Sequence, residues 1–151
     1  MKTVERPYRL LIAAASSLQS PFLLAVRLYW GWQFAQDGWG KLHNLEKVTD
    51  LFTSIGIPAP AVNAAFISGL EFAGGILLAV GLGSRLVSLL LTCNMLMAYI
   101  TADREALFSV LSDPDKFYAA APYTYLFAVL IVLIFGPGKL SVDAWLAKKW
   151  K

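Results

Sequence analysis

The feature that most constrains this chain is a set of four apolar stretches, each about as long as the 17–25 residues that a helix needs to cross a bilayer. Backbone groups in lipid must be hydrogen-bonded within their own segment, so these stretches are expected to be helices. The sequence therefore predicts an all-α fold, an integral membrane four-helix bundle in a single domain over residues 1–151. The four predicted spans are residues 21–39, 61–83, 86–102 and 119–135.

The composition agrees with a membrane location. Hydrophobic residues make up 58% of the chain and charged residues 15%, with a mean hydropathy of +0.59. A water-soluble domain could not bury so much apolar surface. The net charge of +3 does not indicate nucleic-acid binding, because the basic residues lie at the ends of segments. The single cysteine, Cys93, excludes an internal disulfide and is expected to be buried as a small hydrophobe.

The distribution of basic residues predicts the orientation. Positively charged residues are more frequent on the cytoplasmic side of a membrane protein. Because the chain crosses the membrane an even number of times, both termini are predicted to lie on the same side. That side is the one with more basic residues. That side carries Lys2, Arg6, Arg9, Arg85, Lys139, Lys148, Lys149 and Lys151, against Lys41, Lys47, Arg104 and Lys116 on the other.

Three shorter segments are expected at the membrane surfaces. Residues 8–20 are interpreted as an N-terminal interfacial helix, with Leu10, Leu11 and Leu18 facing lipid. Residues 43–55 have the apolar spacing of an amphipathic helix in the outer connector. Residues 105–118 form a second short outer segment, which breaks at a proline, Pro114.

Ionisable residues within predicted spans indicate where function should be sought, because each costs at least about 2.5 kcal/mol at mid-depth. Glu71 lies close to the middle of the second span, and Arg27 lies in the first. Two alternatives are open for Glu71, a pair with Arg27 or a protonated carboxyl. Gln33 and Asn94 fall nearer its level and are the better candidates for hydrogen bonding to it.

Two helix faces carry small residues at helical spacing. On the first span Gly31 and Gly38 share a face with Arg27 and Lys41. On the second span Gly75 shares a face with Glu71. Glycines let neighbouring helices approach closely, so we expect the two faces to pack around Glu71.

Four motifs follow one another along the chain. They are Arg27-Leu28-x-x-Gly31-x-x-Phe34-x-x-x-Gly38-x-x-Lys41-Leu42, Leu51-x-x-x-Gly56-Ile57-Pro58-x-Pro60, Gly69-x-Glu71-x-x-Gly74-Gly75-x-Leu77-Leu78-x-x-Gly81 and Gly136-Pro137-Gly138-x-Leu140-Ser141-x-Asp143. In these motifs the chain resembles the DoxX family of small bacterial membrane proteins, which implies a four-helix fold in the inner membrane. The resemblance also implies a link to redox or oxidative-stress systems, or to pathways for metal-binding modified peptides. Carried over to this sequence, the resemblance implies that the residues to test for function are Arg27, Gly38, Lys41, Glu71 and Gly75.

Two functions remain open at this point. In the first, the chain is a membrane subunit of a redox system, with a quinone as the candidate cofactor and no electron carrier of its own. In the second, it is a non-catalytic membrane anchor or assembly partner for other proteins of its pathway. The expected partners are lipid and proteins of a membrane complex, with homo-oligomer formation left open. No haem or metal motif is present in the sequence. The candidate intramembrane pocket consists of Glu71, Arg27, Gln33, Asn94, Gly38, Lys41 and Gly75.

Overall fold

A computed structural model describes residues 2–149 of the chain, and the side chains of residues 7–149. Over this range the fold is all-helical and without β-strands, which confirms the all-α part of the prediction. Lys151 and the side chains of Lys2 and Arg6, which entered the orientation argument, lie outside the described part. The helices are α1 (Lys2–Leu42), α2 (Leu45–Ser54), α3 (Pro60–Val80), α4 (Ser84–Thr101), α5 (Arg104–Phe108), α6 (Pro114–Ala119), α7 (Pro122–Phe135) and α8 (Val142–Lys149).

Within the described residues, three helices are long and apolar enough to cross a membrane, namely α1 over Pro7–Leu42, α3 and α4. These are features of a multi-pass membrane protein. Helix α7 is apolar but has only 14 residues, which gives about 21 Å at 1.5 Å per residue. It begins three residues after the predicted start of the fourth span. The reason is local, because Ala120 has extended backbone and Pro122 suits the first turn of a helix.

The long helices pack in a closed order. Helix α1 packs along α3, α3 contacts α4, α4 packs along α7, and α7 returns to α1. Apolar side chains from all four fill the centre, and their burial stabilises the arrangement by dispersion contacts. The buried core consists of Phe34, Leu78, Val87, Leu91, Met95, Val129 and Val132.

The N-terminal segment corrects one prediction. Residues 8–20 do not form a separate interfacial helix, because α1 continues without interruption through Pro21. A proline inside a helix removes one backbone hydrogen bond, and residues 8–20 contain no glycine that would add a second weak point. Residues 7–19 are exposed along their whole length. The bundle therefore begins at about Ser20, and α1 extends beyond it.

The connectors follow the predicted pattern more closely. Helix α2 packs against α3 with Leu45, Val48 and Phe52 half-buried, while Leu51 is 54% exposed. The second connector forms the short helices α5 and α6. Cys93 is exposed on α4, so the prediction that it would be buried is wrong. Its neighbours Thr92 and Asn94 are buried instead, and Asn94 hydrogen-bonds to Glu71 of α3.

Candidate functional site

The carboxylate of Glu71 is the centre of the candidate site. Glu71 is 2% exposed in the middle of α3. Its Oε2 lies 2.5 Å from Lys41 Nζ, and its Oε1 accepts a hydrogen bond from Asn94 Nδ2 at 2.9 Å. Lys41 comes from the last turn of α1 and Asn94 from the middle of α4. Three helices therefore meet at one carboxylate, which has a partner on each oxygen.

The two members of the ion pair differ in their access to the surroundings. The Lys41 side chain is 40% exposed, whereas that of Glu71 is 3% exposed. A lysine can bury its aliphatic stem against apolar surface while its ammonium reaches a polar group. Glu71 needs that partner, because a buried carboxylate without one is strongly unfavourable. The ammonium of Lys41 is thus the part of the site that a second molecule can approach.

Close packing of α1 on α3 sets the register that brings Lys41 to Glu71. A Cβ on Gly38 would lie 2.2 Å from the backbone nitrogen of Phe72, and one on Gly75 would lie 2.5 Å from the backbone nitrogen of Ala35. No larger side chain fits at either position without moving the helices apart. The predicted glycine faces therefore pack together around Glu71, as expected from the sequence.

An apolar groove of about 440 Å³ runs between α1 and α3 next to this site. The rings of Trp39 and Phe72 lie 5.2 Å apart between centroids. Phe72 follows Glu71 in the chain, and Trp39 comes two residues before Lys41, so this end of the groove lies at the level of the ion pair. The groove is lined by Gly31, Trp32, Ala35, Gln36, Trp39, Phe72, Ile76, Ala79 and Val80.

The remaining predicted residues do not join Glu71. Gln33 is half-buried, and in the described part of the chain no hydrogen bond links it to Glu71. Arg27 is fully buried 14 residues before Lys41 on α1, which places it about 21 Å away along the helix. Its Nη2 donates to the carbonyl oxygen of Leu140 at 2.5 Å, and Nη1 lies 3.5 Å from that of Ala79. The sequence-predicted set thus separates into a Glu71 site and a distant Arg27 site.

The Arg27 end of the bundle is closed by a second charged residue, Asp143 of α8. Its carboxylate accepts hydrogen bonds from the backbone N–H groups of Gly83 and Ser84, at 2.7 and 2.8 Å, and so caps the start of α4. Burial raises the pKa of the Asp143 carboxyl, but the Ser84 and Gly83 hydrogen bonds and the charge of Arg27 hold it below the ordinary 3.8. Its own N–H donates to Gly81 O at 2.9 Å. We call Arg27, Asp143 and these backbone partners the Arg27 clasp.

Two polar interactions were missed in the sequence. Asp143 stood in the last motif, but nothing in the motif indicated that it caps α4. Asp37 accepts a hydrogen bond from the hydroxyl of Tyr125 on α7. The sequence did carry one signal for Asp37, because it is an acidic residue inside the first predicted span. It lies next to the helix face that carries Gly38.

The chemistry open to the Glu71 site is hydrogen bonding and proton exchange. It offers an ammonium and an amide, each in direct contact with the same carboxylate. Within residues 7–149, no group of three or more His, Cys, Asp or Glu side chains is placed to hold a metal ion. A polar ligand would be met first by Lys41, with Glu71 behind it.

Comparison with known proteins identifies the family. The DoxX family model matches residues 22–104, which is more than half of the chain. A relative from Bacillus subtilis (strain 168), named "Putative oxidoreductase CatD", is 28% identical over 125 residues, which is 83% of this chain and 87% of the relative. No solved structure matches the chain. The match includes the Gly38, Lys41, Glu71 and Asn94 positions, and the chain belongs to the DoxX family.

Proposed function

We propose that this protein is a redox-associated subunit of the bacterial inner membrane, which binds a quinone headgroup beside Lys41 and Glu71. A separate partner protein supplies or removes the electrons. In this proposal α7 is the fourth membrane span and both termini are cytoplasmic. The excess of basic residues on that predicted side supports the orientation, and the packing of α7 against α4 and α1 supports the fourth span.

The observation that carries the proposal is the asymmetry of the ion pair. Glu71 is buried and Lys41 is 40% exposed, at the level where an apolar, tryptophan-lined groove ends. A quinone combines a flat apolar ring with carbonyl oxygens, so the ring matches the apolar, aromatic-lined groove, and a carbonyl oxygen would have to extend beyond the lining to reach Lys41. The "oxidoreductase" in the name of the Bacillus subtilis relative also favours a redox role.

In this proposal the chain contributes one part of the reaction, the transfer of a proton to the quinone. Reduction of a quinone to a quinol consumes two electrons and two protons. The partner's electron carrier supplies the electrons. As negative charge develops on a quinone oxygen, the Lys41 ammonium hydrogen-bonds to it and donates one proton, which leaves a neutral amine. Glu71 stabilises the ammonium form before the transfer and again once solvent has reprotonated Lys41. The second proton comes from solvent, as does the one that restores Lys41.

Quinone binding can be measured directly. The protein is reconstituted in lipid nanodiscs and titrated with decylubiquinone, with quenching of tryptophan fluorescence as the readout, since Trp32 and Trp39 line the groove. Saturable binding is expected for the native protein. The Lys41→Met variant should bind at least about tenfold more weakly, because it loses a charged hydrogen bond worth about 1.5–3 kcal/mol.

The matched control is Lys47→Met, which makes the same change at an exposed lysine of α2 and should bind like the native protein. Absence of saturable binding, or equal weakening by both substitutions, would contradict the proposal. The alternative role as a non-catalytic anchor predicts a different result. In that case the native protein binds no quinone, retains a partner through purification, and tolerates Lys41→Met combined with Glu71→Gln without loss of that partner.

A further inference from the structure

A second carboxylate of the bundle lies on α1 and is exposed. Asp37 accepts a hydrogen bond from the hydroxyl of Tyr125 on α7. The Tyr125 ring packs edge-on against the rings of Trp30 and Phe34, with its centroid 5.1 and 4.7 Å from theirs. These two contacts fix the ring and with it the direction of the hydroxyl. Asp37 is therefore held on the side of α1 that faces α7.

This pair lies near the ends of both helices that form it. Asp37 comes five residues before the end of α1 at Leu42, and Tyr125 three residues after the start of α7 at Pro122. These separations correspond to about 7.5 and 4.5 Å along the helix axes. We call this end of the bundle, where α1 ends and α7 begins, the mouth. The ends of membrane-spanning helices reach the hydrated headgroup region, so the exposed carboxylate of Asp37 meets water there.

Asp37 also lies one helical turn from Lys41. Residues four apart on a helix have Cβ atoms about 5–6 Å from each other. The Lys41 ammonium is bound to Glu71 Oε2 at 2.5 Å, but it sits at the end of a flexible four-carbon stem. Lys41 thus has two carboxylates within reach, a buried one on α3 and an exposed one on its own helix.

The two carboxylates differ in what they can do with a proton. The Glu71 side chain is 3% exposed, and its oxygens are occupied by Lys41 and Asn94. A proton that passes from Lys41 to Glu71 is therefore shielded from water. Asp37 is exposed, and Tyr125 binds its Oδ2, which leaves Oδ1 facing the surroundings in the described part of the chain. Only the second carboxylate can both take up a proton from water and pass it to a neighbour.

We propose that Asp37 is the residue through which Lys41 exchanges protons with water at the mouth. A hydronium ion first protonates the Asp37 carboxylate and leaves as water. The O–H bond of this carboxylic acid then breaks as an N–H bond forms on the neutral amine of Lys41, which gives a carboxylate and an ammonium ion. Tyr125 is a positioning residue, because its hydroxyl orients Asp37 without carrying the proton itself.

This route supplies the proton that restores Lys41 after each transfer to a quinone. Once Lys41 is a neutral amine, it has lost the charge that holds it to Glu71 and can turn toward Asp37. As a step of quinone reduction, the route rests on the proposed function. As a path between Lys41 and water it does not, because exchange of the ammonium protons with water runs the same step in both directions and needs no quinone.

NMR of ¹⁵N-lysine-labelled protein in lipid nanodiscs, without quinone, measures this exchange. The readout is the rate at which the Nζ–H protons of Lys41 exchange with water, and the resonance is assigned by its absence from Lys41→Arg. Asp37→Asn keeps an oxygen that accepts from Tyr125 but cannot carry the proton, so it should slow the exchange at least about tenfold. Asp37→Glu restores a carboxylate and should bring the rate to within about threefold of the native one.

The matched control is Asp50→Asn, which makes the same change at an exposed position of α2 and should leave the rate unchanged. Tyr125→Phe keeps the Asp37 carboxylate and should slow the exchange less than Asp37→Asn does. A native rate in Asp37→Asn would overturn the proposal, since water would then reach Lys41 directly. A change in the Nζ chemical shift as large as that caused by Glu71→Gln would also overturn it, because Asp37 would then hold the ion pair.

The outcome is independent of quinone binding. A protein that binds no quinone but shows slowed exchange in Asp37→Asn and recovery in Asp37→Glu would contradict the proposed function and support the proton route. Saturable quinone binding with a native exchange rate in Asp37→Asn would do the reverse.

Discussion

Two charged sites contact α1 at different heights, one at Arg27 and one at Lys41, and their buried charges are satisfied in different ways. At the first site, the guanidinium of Arg27 and the carboxylate of Asp143 are bound to main-chain groups of two connections, the α3–α4 turn and the α7–α8 connection. At the second site, the carboxylate of Glu71 is bound to two side chains, Lys41 and Asn94. The first arrangement is closed, whereas the second leaves Lys41 partly open beside a groove.

This difference separates a structural role from a functional one. Main-chain partners hold the Arg27 clasp in one geometry, because α1, the α3–α4 turn and the α7–α8 connection must all stay in place. The glycine at position 81, with φ of 76°, has no room for a side chain, since a Cβ there would lie 1.8 Å from Arg27 Nη1. Side-chain partners at the Glu71 site can exchange protons and rearrange. We therefore expect substitutions in the clasp to change stability, and substitutions at the Glu71 site to change ligand binding as well.

The largest effect is expected from removing the positive charge at the Glu71 site. Lys41→Met leaves a buried carboxylate without its ion-pair partner and should lower the free energy of unfolding by about 3 kcal/mol. Adding Glu71→Gln removes the unpaired charge and should restore stability to within about 1 kcal/mol of the native protein, while quinone binding stays lost. Denaturation in detergent, followed by tryptophan fluorescence, measures the four members of this double-mutant cycle. If the double variant is as unstable as Lys41→Met alone, the ion pair is not what the lysine contributes.

A smaller loss of stability is expected from the clasp. Arg27→Met removes the donors to the Leu140 and Ala79 carbonyl oxygens and should lower the free energy of unfolding by about 2 kcal/mol. The folded fraction should still bind decylubiquinone with unchanged affinity. Arg9→Met, at an exposed position of the same helix, is the matched control and should change neither quantity. Loss of quinone affinity in folded Arg27→Met protein would show that the Arg27 clasp and the Glu71 site do not act independently.

The smallest effect is expected at the cap of α4. Asp143→Asn should cost about 1 kcal/mol at pH 7, because it replaces a carboxylate at a helix start by a neutral amide. The pKa of Asp143 is lowered in the folded state, so its contribution is complete above the ordinary value of 3.8 and is lost as the pH falls through the lower folded value. The stability difference between the native protein and the variant should therefore shrink below about pH 4. Asp115→Asn, at an exposed position of α6, should show no such pH dependence, and a difference that persists into strong acid would exclude the cap as its source.

Particular residues show how far the sequence could lead. Glu71 was identifiable because a carboxyl within an apolar stretch is costly, and Asn94 because its height in the next span matches that of Glu71. Lys41 was placed in the same candidate pocket as Glu71 but was not predicted to be its ion-pair partner, since it was expected on the outer side of the membrane. Its pairing depends on the register of α1 against α3, which the contact of Gly38 with the backbone of Phe72 fixes.

The partner of Arg27 was beyond any pattern in the sequence. Leu140 lies 113 positions later in the chain, and what Arg27 binds there is a carbonyl oxygen, which every residue possesses. Gln33 was expected near Glu71 by height alone. Height along a helix does not specify direction around it, and the buried side of α1 at that level is taken by Phe34 and Ala35.

The sequence by itself determined that this chain is helical and belongs in a membrane, because apolar stretches of that length have no other stable conformation in lipid. It also determined which polar residues would be costly and which glycines would permit close approach. Only the tertiary structure decided which polar groups meet, because a hydrogen bond depends on the rotation and register of two helices to within about 1 Å. It likewise decided that α1 continues past the bundle, because Pro21 removes one backbone hydrogen bond without ending the helix.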